Sequence, residues 1–238
     1  MQVVDRSSGR VKYEYPREQF PLAELVARMF DVLPEQMARL HDYSRQQYTP
    51  FSLGKEHLTE FHETYYFNVH PPTADGITSR PTELGQQFLD VYGGLVAQLE
   101  NVHFRERTYF QKIPSFRIHL PRNLAIADTH RDKDDGQPPE EQHVFLPLSN
   151  AFGNNTVWAE SEPDKHDFSP LEADVGQFIC WNGAYLLHRN RLNDTGLTRV
   201  SVDFRLIPVS QYVHRPELVS SVMKIPMVPG HYYTLLEY

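Results

Sequence analysis

The chain has 238 residues, 40% hydrophobic and 23% charged, with a formal net charge of −8 and one cysteine. This size and composition fit one globular domain with a substantial core, and the apolar runs are too short to span a bilayer. The negative balance argues against a nucleic-acid partner, which needs a basic face. Cys180 alone forms no internal disulfide, and MQVVDRSSGRVKYEYP lacks the apolar core of a signal peptide, so the expected setting is cytoplasmic, without a membrane partner.

In chain order, the first hundred residues read as mainly helical. PLAELVARMFDVL sets Leu22, Leu25, Val26, Met29 and Leu33 at helical spacing. Pro34 ends that helix and opens a second, PEQMARLHDYSRQQY. PPTADGITSRP reads as a loop. A third helix starts near Pro81 and runs through ELGQQFLDVYGGLVAQLENV, weakened by Gly93 and Gly94. From about residue 108 short β-rich runs alternate with turn residues: YFQKIPSFRIHL, NLAIADTH, EQHVFLPLS, NTVWAES, VGQFICW, AYLLHRN and TRVSVDFRLIP. Such spacing predicts a β-barrel or jelly roll under a helical layer. The expected class is mainly β with helices (α+β). Residues 1–238 would form one domain, 1–107 its helical layer and 108–238 the jelly-roll core and C-terminal extension.

The chemistry is concentrated in three stretches. THRD contains His130 and Asp132, LLHRN contains His188, and TRVSVDFR contains Arg199 and Ser201. Two histidines and a carboxylate hold non-haem Fe(II) on one face, with three positions left open. An arginine and a serine nearby are what such a centre needs to seat a dicarboxylic keto acid. The 12 histidines and 31 acidic residues would give roughly 1.6 His-x-acid pairs by chance, so that pair alone is weak. A histidine with Arg at +11 and Ser at +13 is expected by chance roughly 0.05 times in the chain, and only His188 meets the condition.

With IPSFRIHLP, HRDKDD, LPLSNAFGNNTVWAES, HRNRLNDTGLTRVSVDFR and VPGHYY, residues from about 110 to 233 resemble the Fe(II)/2-oxoglutarate-dependent dioxygenases. The nearest likeness is to the streptomycin-biosynthesis oxygenase-like branch found in antibiotic clusters. The resemblance implies a double-stranded β-helix (cupin-like jelly roll) core, Fe(II), 2-oxoglutarate and O2. It implies His130, Asp132 and His188 as iron ligands, and Arg199 and Ser201 on the distal carboxylate of 2-oxoglutarate. Succinate and CO2 would leave as a small polar metabolite or natural-product intermediate is oxidised. Related halogenases carry a small residue in place of the carboxylate, so Asp132 implies an oxygenase outcome such as hydroxylation.

Weaker candidates surround this set. Asn155 is a candidate 2-oxoglutarate contact. Trp158, Arg117, Glu160 and Arg205 are candidate substrate contacts; Trp158 equally fits plain core, Arg117 an outward ion pair, and Glu160 and Arg205 each other's partners. His119 and His143 read as ordinary strand histidines, and His41, His57, His62 and His70 form no metal spacing. HETYYFNVH and GHYYTLLEY fit either a substrate entrance or core packing. The helices and the segment from Lys133 to Gln142 are expected to cover the site mouth. The alternative is a zinc-dependent cupin hydrolase or isomerase with the same two histidines and aspartate. Such an enzyme has no use for Arg199 and Ser201.

Overall fold

Side chains alternate between the two faces of a strand, and the pattern after residue 108 sorts the strands into two sheets. The computed structural model describes residues 1–7, 9–45, 59–71, 80–125, 128–220 and 223–237. Its strands are β1 (Gln2–Ser7), β2 (Arg10–Glu14), β3 (Thr108–Gln111), β4 (Ser115–His119), β5 (Gln142–Pro147), β6 (Trp158–Ala159), β7 (Ser169–Pro170), β8 (Gln177–Trp181), β9 (His188–Arg189), β10 (Arg199–Pro208) and β11 (Tyr233–Thr234). An eight-stranded sheet runs β1-β2-β8-β5-β10-β3-β11, with β4 also paired to β10, and a three-stranded sheet runs β7-β6-β9. The strand pairs in both are antiparallel.

The large sheet separates two apolar layers. On its outer face Val144, Leu146, Phe178, Cys180, Val202 and Phe204 meet α1 (Leu22–Met29), α2 (Glu60–Val69) and α3 (Glu83–Leu99). Tyr92 of α3 packs edge-on to Phe204 at 4.9 Å, and Tyr65 of α2 stacks on Phe116 at 5.0 Å. Each such ring contributes on the order of 4–6 kcal/mol of gross hydrophobic stabilisation. On the inner face Phe145, Ile179 and Trp181 pack against Ala159 of the small sheet and Leu186. This is the jelly-roll arrangement, helices outside and a sheet-on-sheet interior.

Several local expectations differ from the fold. The N-terminus forms a β-hairpin. Val11 and Tyr13 alternate with polar residues, and β2 pairs with β8, stacking Tyr13 on Phe178 at 5.2 Å. Pro34–Asp42 forms 3-10 turns rather than an α-helix, broken at Arg39 (φ −124°, ψ 24°). HETYYFNVH lies in α2, where Phe61, Tyr65 and Val69 are buried. NLAIADTH contributes only the bridge residue His130 among the described residues. The end of the second expected helix and most of PPTADGITSRP lie outside the described residues. No helix among the described residues is long and apolar enough to cross a membrane.

Helix α3 begins where expected, with the Thr82 hydroxyl accepting from Gly85 N at 3.0 Å. Gly85 is there because α2 passes directly over it: a Cβ would sit 2.0 Å from the Asn68 carbonyl oxygen. Gly93 has no such neighbour, its nearest being Leu236 Cδ2 at 3.6 Å. Two substitutions should therefore go opposite ways in urea unfolding. Gly85→Ala should lose about 1–3 kcal/mol through overpacking. Gly93→Ala should gain up to about 1 kcal/mol of helix propensity.

Candidate metal centre

His130 and His188 are brought together by their own backbones. His130 N donates to His188 O at 3.1 Å and His188 N to His130 O at 2.9 Å, bridging two segments far apart in sequence. The imidazole centroids lie 4.2 Å apart. Each ring donates its Nδ1–H to a carbonyl, His130 to Asp128 at 2.8 Å and His188 to Leu186 at 3.0 Å. That fixes the tautomer and leaves both Nε2 atoms with lone pairs. They face Asp132 Oδ1, at 3.6 Å from His130 and 3.3 Å from His188. Three electron-pair donors, all within 4.8 Å of one another, repel unless a cation lies among them. The donor set fits a divalent ion of nitrogen and oxygen preference.

The other oxygen of Asp132 is held separately. Oδ2 accepts from His143 Nε2 at 2.7 Å and from an Arg205 terminal nitrogen at 3.1 Å. Burial pushes this carboxyl up, but His143, His188 and Arg205 more than reverse the effect and hold it well below the usual range. Burial keeps the His143 pKa low despite Asp132, so the imidazole is neutral at pH 7. His143 stands opposite both Arg205 and Trp181 in the sheet, and Gly183 leaves room for its ring, since a Cβ there would lie 3.0 Å from Cγ. His143 is thus not the ordinary strand histidine the sequence suggested. Its alternation with Phe145 was the one signal that could have marked an inward ring, and no local signal placed Asp132 beside it.

Arg199 and Ser201 share the inner face of β10 with Asp203 and Arg205, at intervals of two residues. Arg199 is 3% exposed; its Nε donates to Asn155 O at 3.0 Å and a terminal nitrogen to Ser201 Oγ at 2.7 Å. No carboxylate of the described residues pairs with it. Burial pushes its pKa down to about 10, against the partial support of Asp203. A buried guanidinium without an anion is costly, and this one is set up to receive one.

No protein-family model matches the chain. Among curated proteins it is 42% identical, over 107 residues, to the streptomycin biosynthesis protein StrG of Streptomyces griseus. That match covers 45% of this chain and 50% of the relative, so the chain spans about half the length of the curated protein it matches. The non-haem α-ketoglutarate-dependent epimerase SnoN from nogalamycin biosynthesis superposes with a TM-score of 0.51 at 13% identity, covering 96% of this chain and 94% of that one. The carbocyclase SnoK from the same biosynthesis gives 0.50 at 10% identity, covering 96% and 92%. The chain has the fold of the non-haem 2-oxoglutarate oxygenases. The expected likeness to the streptomycin-biosynthesis branch is borne out over the matched segment.

Within this oxygenase fold the weaker candidates separate. Asn155 meets Arg199 through its backbone carbonyl, and its side chain closes a turn, accepting from Phe152 N at 2.8 Å. Trp158 stands opposite Arg189 while Ala159 stands opposite His188, so alternation turns the indole away from the histidine. The Arg191 guanidinium covers that ring at 3.4 Å. Glu160 does not pair with Arg205. It is fully buried against the backbone N–H groups of Leu187 (2.7 Å) and His166 (3.1 Å), bracing the segment before His188. His119 is structural as expected, held between the carbonyls of Asn123 and Asn155.

Arg117 and Arg205 remain beside the centre. Both line a narrow polar recess with Gln111, Ser115, Tyr66 and Tyr232, which Gln137 of the 133–142 segment also reaches. The two aromatic-rich runs therefore divide: Tyr66 and Tyr232 line the recess, whereas Tyr65 and Tyr233 are core.

The support behind Asp132 is testable without turnover. His143→Leu should lower Mn(II) affinity about tenfold to a hundredfold in calorimetric titration. An unchanged affinity would show that His143 is only packing.

Proposed function

We propose that the chain is an Fe(II)- and 2-oxoglutarate-dependent oxygenase that hydroxylates a small polar metabolite or natural-product intermediate, consuming O2 and releasing succinate and CO2. One observation carries the reading: a buried, anion-free arginine lies on the same barrel interior as three converging metal-ligand atoms. A zinc hydrolase would leave Arg199 without a task.

His130, Asp132 and His188 would hold the metal through Nε2, Oδ1 and Nε2. Bound there with the keto acid, iron supplies O2 activation. The protein's part is placement. His143 and Arg205 occupy Asp132 Oδ2, which would leave Oδ1 as the oxygen offered to the metal. Arg199 and Ser201 would hold the distal carboxylate of 2-oxoglutarate by charge and hydrogen bonding. Trp181 packs edge-on against His188 at 4.9 Å and, with Phe145 and Ile179, walls the interior from water. Asp132 supports an oxygenase outcome over halogenation, as the resemblance noted above implies; the epimerisation and carbocyclisation named for SnoN and SnoK are the outcomes against which hydroxylation is tested.

Anaerobic calorimetry on metal-loaded protein should show 2-oxoglutarate binding that requires the metal, and His188→Ala should abolish metal loading. Arg199→Ala should keep the metal and weaken 2-oxoglutarate by about tenfold to a hundredfold, the usual value of a hydrogen bond to a charged group. Metal-independent binding, or an unaltered affinity in Arg199→Ala, would overturn the co-substrate reading. With substrate in hand, isotope-labelled O2 should appear in the product; an isomer without added oxygen would replace hydroxylation by another outcome.

A further inference from the structure

We propose that the recess between β3, β4, β10 and the C-terminal segment is the recognition subsite of the substrate, and that it takes an oxyanion, a carboxylate or a phosphate, on a hydroxylated or aminated small molecule. This rests on the oxygenase reading of the adjacent centre.

The charges on the recess floor do not balance. Asp203 takes one arginine on each oxygen, Arg117 Nε at 3.0 Å on Oδ1 and an Arg205 terminal nitrogen at 2.7 Å on Oδ2. Arg205 also serves Asp132, whose charge belongs to the metal centre. Glu141, 4.0 Å from Arg205, adds little negative charge near neutral pH, because full burial pushes its carboxyl up to about 8. Two guanidiniums therefore share one free carboxylate, and the floor is net positive.

The excess has a direction. Among the described residues Arg117 is paired through Nε alone, and its side chain is 32% exposed and lines the recess, so its two terminal nitrogens offer a planar fork there. Such a fork matches the spacing of two oxygens of a carboxylate or phosphate, which a lysine does not. Gln111 supplies the complementary group. Its amide nitrogen donates to Ile113 O at 2.7 Å and Ser115 Oγ at 3.0 Å, while Oε1 has no hydrogen-bond partner although the residue is 2% exposed. A hydroxyl or ammonium beside the bound oxyanion would satisfy that acceptor. Arg205 joins the subsite to the centre: the same guanidinium lines the recess and touches Asp132 at 3.1 Å. A molecule anchored by its oxyanion on Arg117 would present its neighbouring carbons toward the metal.

The test uses the full chain loaded with Fe(II) and 2-oxoglutarate under anaerobic conditions, titrated with glucose, glucose 6-phosphate and glucuronate. At least one anionic sugar should bind about tenfold or more tighter than glucose, and the arm that does so distinguishes phosphate from carboxylate. Arg117→Lys keeps a charge on Asp203 but removes the fork. It should bring the three sugars within about threefold of one another, with 2-oxoglutarate affinity unchanged as the measure of intact folding. Equal binding or no binding of the three sugars by the unaltered protein overturns the proposal, as does a preference that survives in Arg117→Lys. Loss of metal-dependent 2-oxoglutarate binding in the unaltered protein would instead strike the oxygenase reading, which the sugar comparison does not touch.

Discussion

Because successive side chains leave a strand on opposite faces, β10 must serve two interiors at once, and most of the structure follows from how it does so. Val200, Val202, Phe204 and Leu206 face the helices and belong to the largest apolar cluster. Arg199, Ser201, Asp203 and Arg205 face the barrel interior, where they meet the proposed co-substrate position, the recess and Asp132. A register slip of one residue would put two arginines and an aspartate against Tyr92 and Phe116, and valines where the anion belongs. Pairing with β5 over Ser201–Leu206 and with β4 over Arg199–Asp203 makes such a slip costly. The apolar face thus fixes the position of the polar one.

The polar face is an electrostatic circuit with one deliberate gap. Asp132 and Arg205 are buried and Asp203 is half-buried, and each has a charged partner within hydrogen-bonding distance. Arg199, at the far end of the same face, has a hydroxyl and a carbonyl instead. Folding tolerates that because the site's ligand completes the set, the pattern of a group kept for function at some cost in stability.

How much of this was legible in the sequence depended on how local each signal is. His130, Asp132, His188, Arg199 and Ser201 were recoverable because their spacing is rare, and the β-rich texture after residue 108 followed from short apolar runs between turn residues. The helix starting at Thr82 was readable from its cap and apolar stripe. The N-terminal hairpin was missed although Val11, Tyr13 and Tyr15 alternate in the sequence, because β2 gains its stability from β8, some 165 residues away. His143 was misread for the same reason: what matters is its distance to Asp132, which no periodicity encodes. Trp158 lies in a two-residue strand whose alternation turns its ring away from His188, and Glu160 lies just past that strand; which way each points is a matter of register that composition does not settle.

The reciprocal backbone bonds between His130 and His188 have a bearing on which ion the protein carries. They hold both imidazoles in place through the main chain, so the nest for the ion exists before the ion arrives and metal binding need not drive folding. A preformed nest of two imidazoles and one carboxylate follows the general affinity order of divalent ions, in which nickel, copper and zinc stand above iron. For the proposed iron centre, selection would then come from supply rather than from the pocket, and the metal found in the purified protein would be a record of the medium in which it was made.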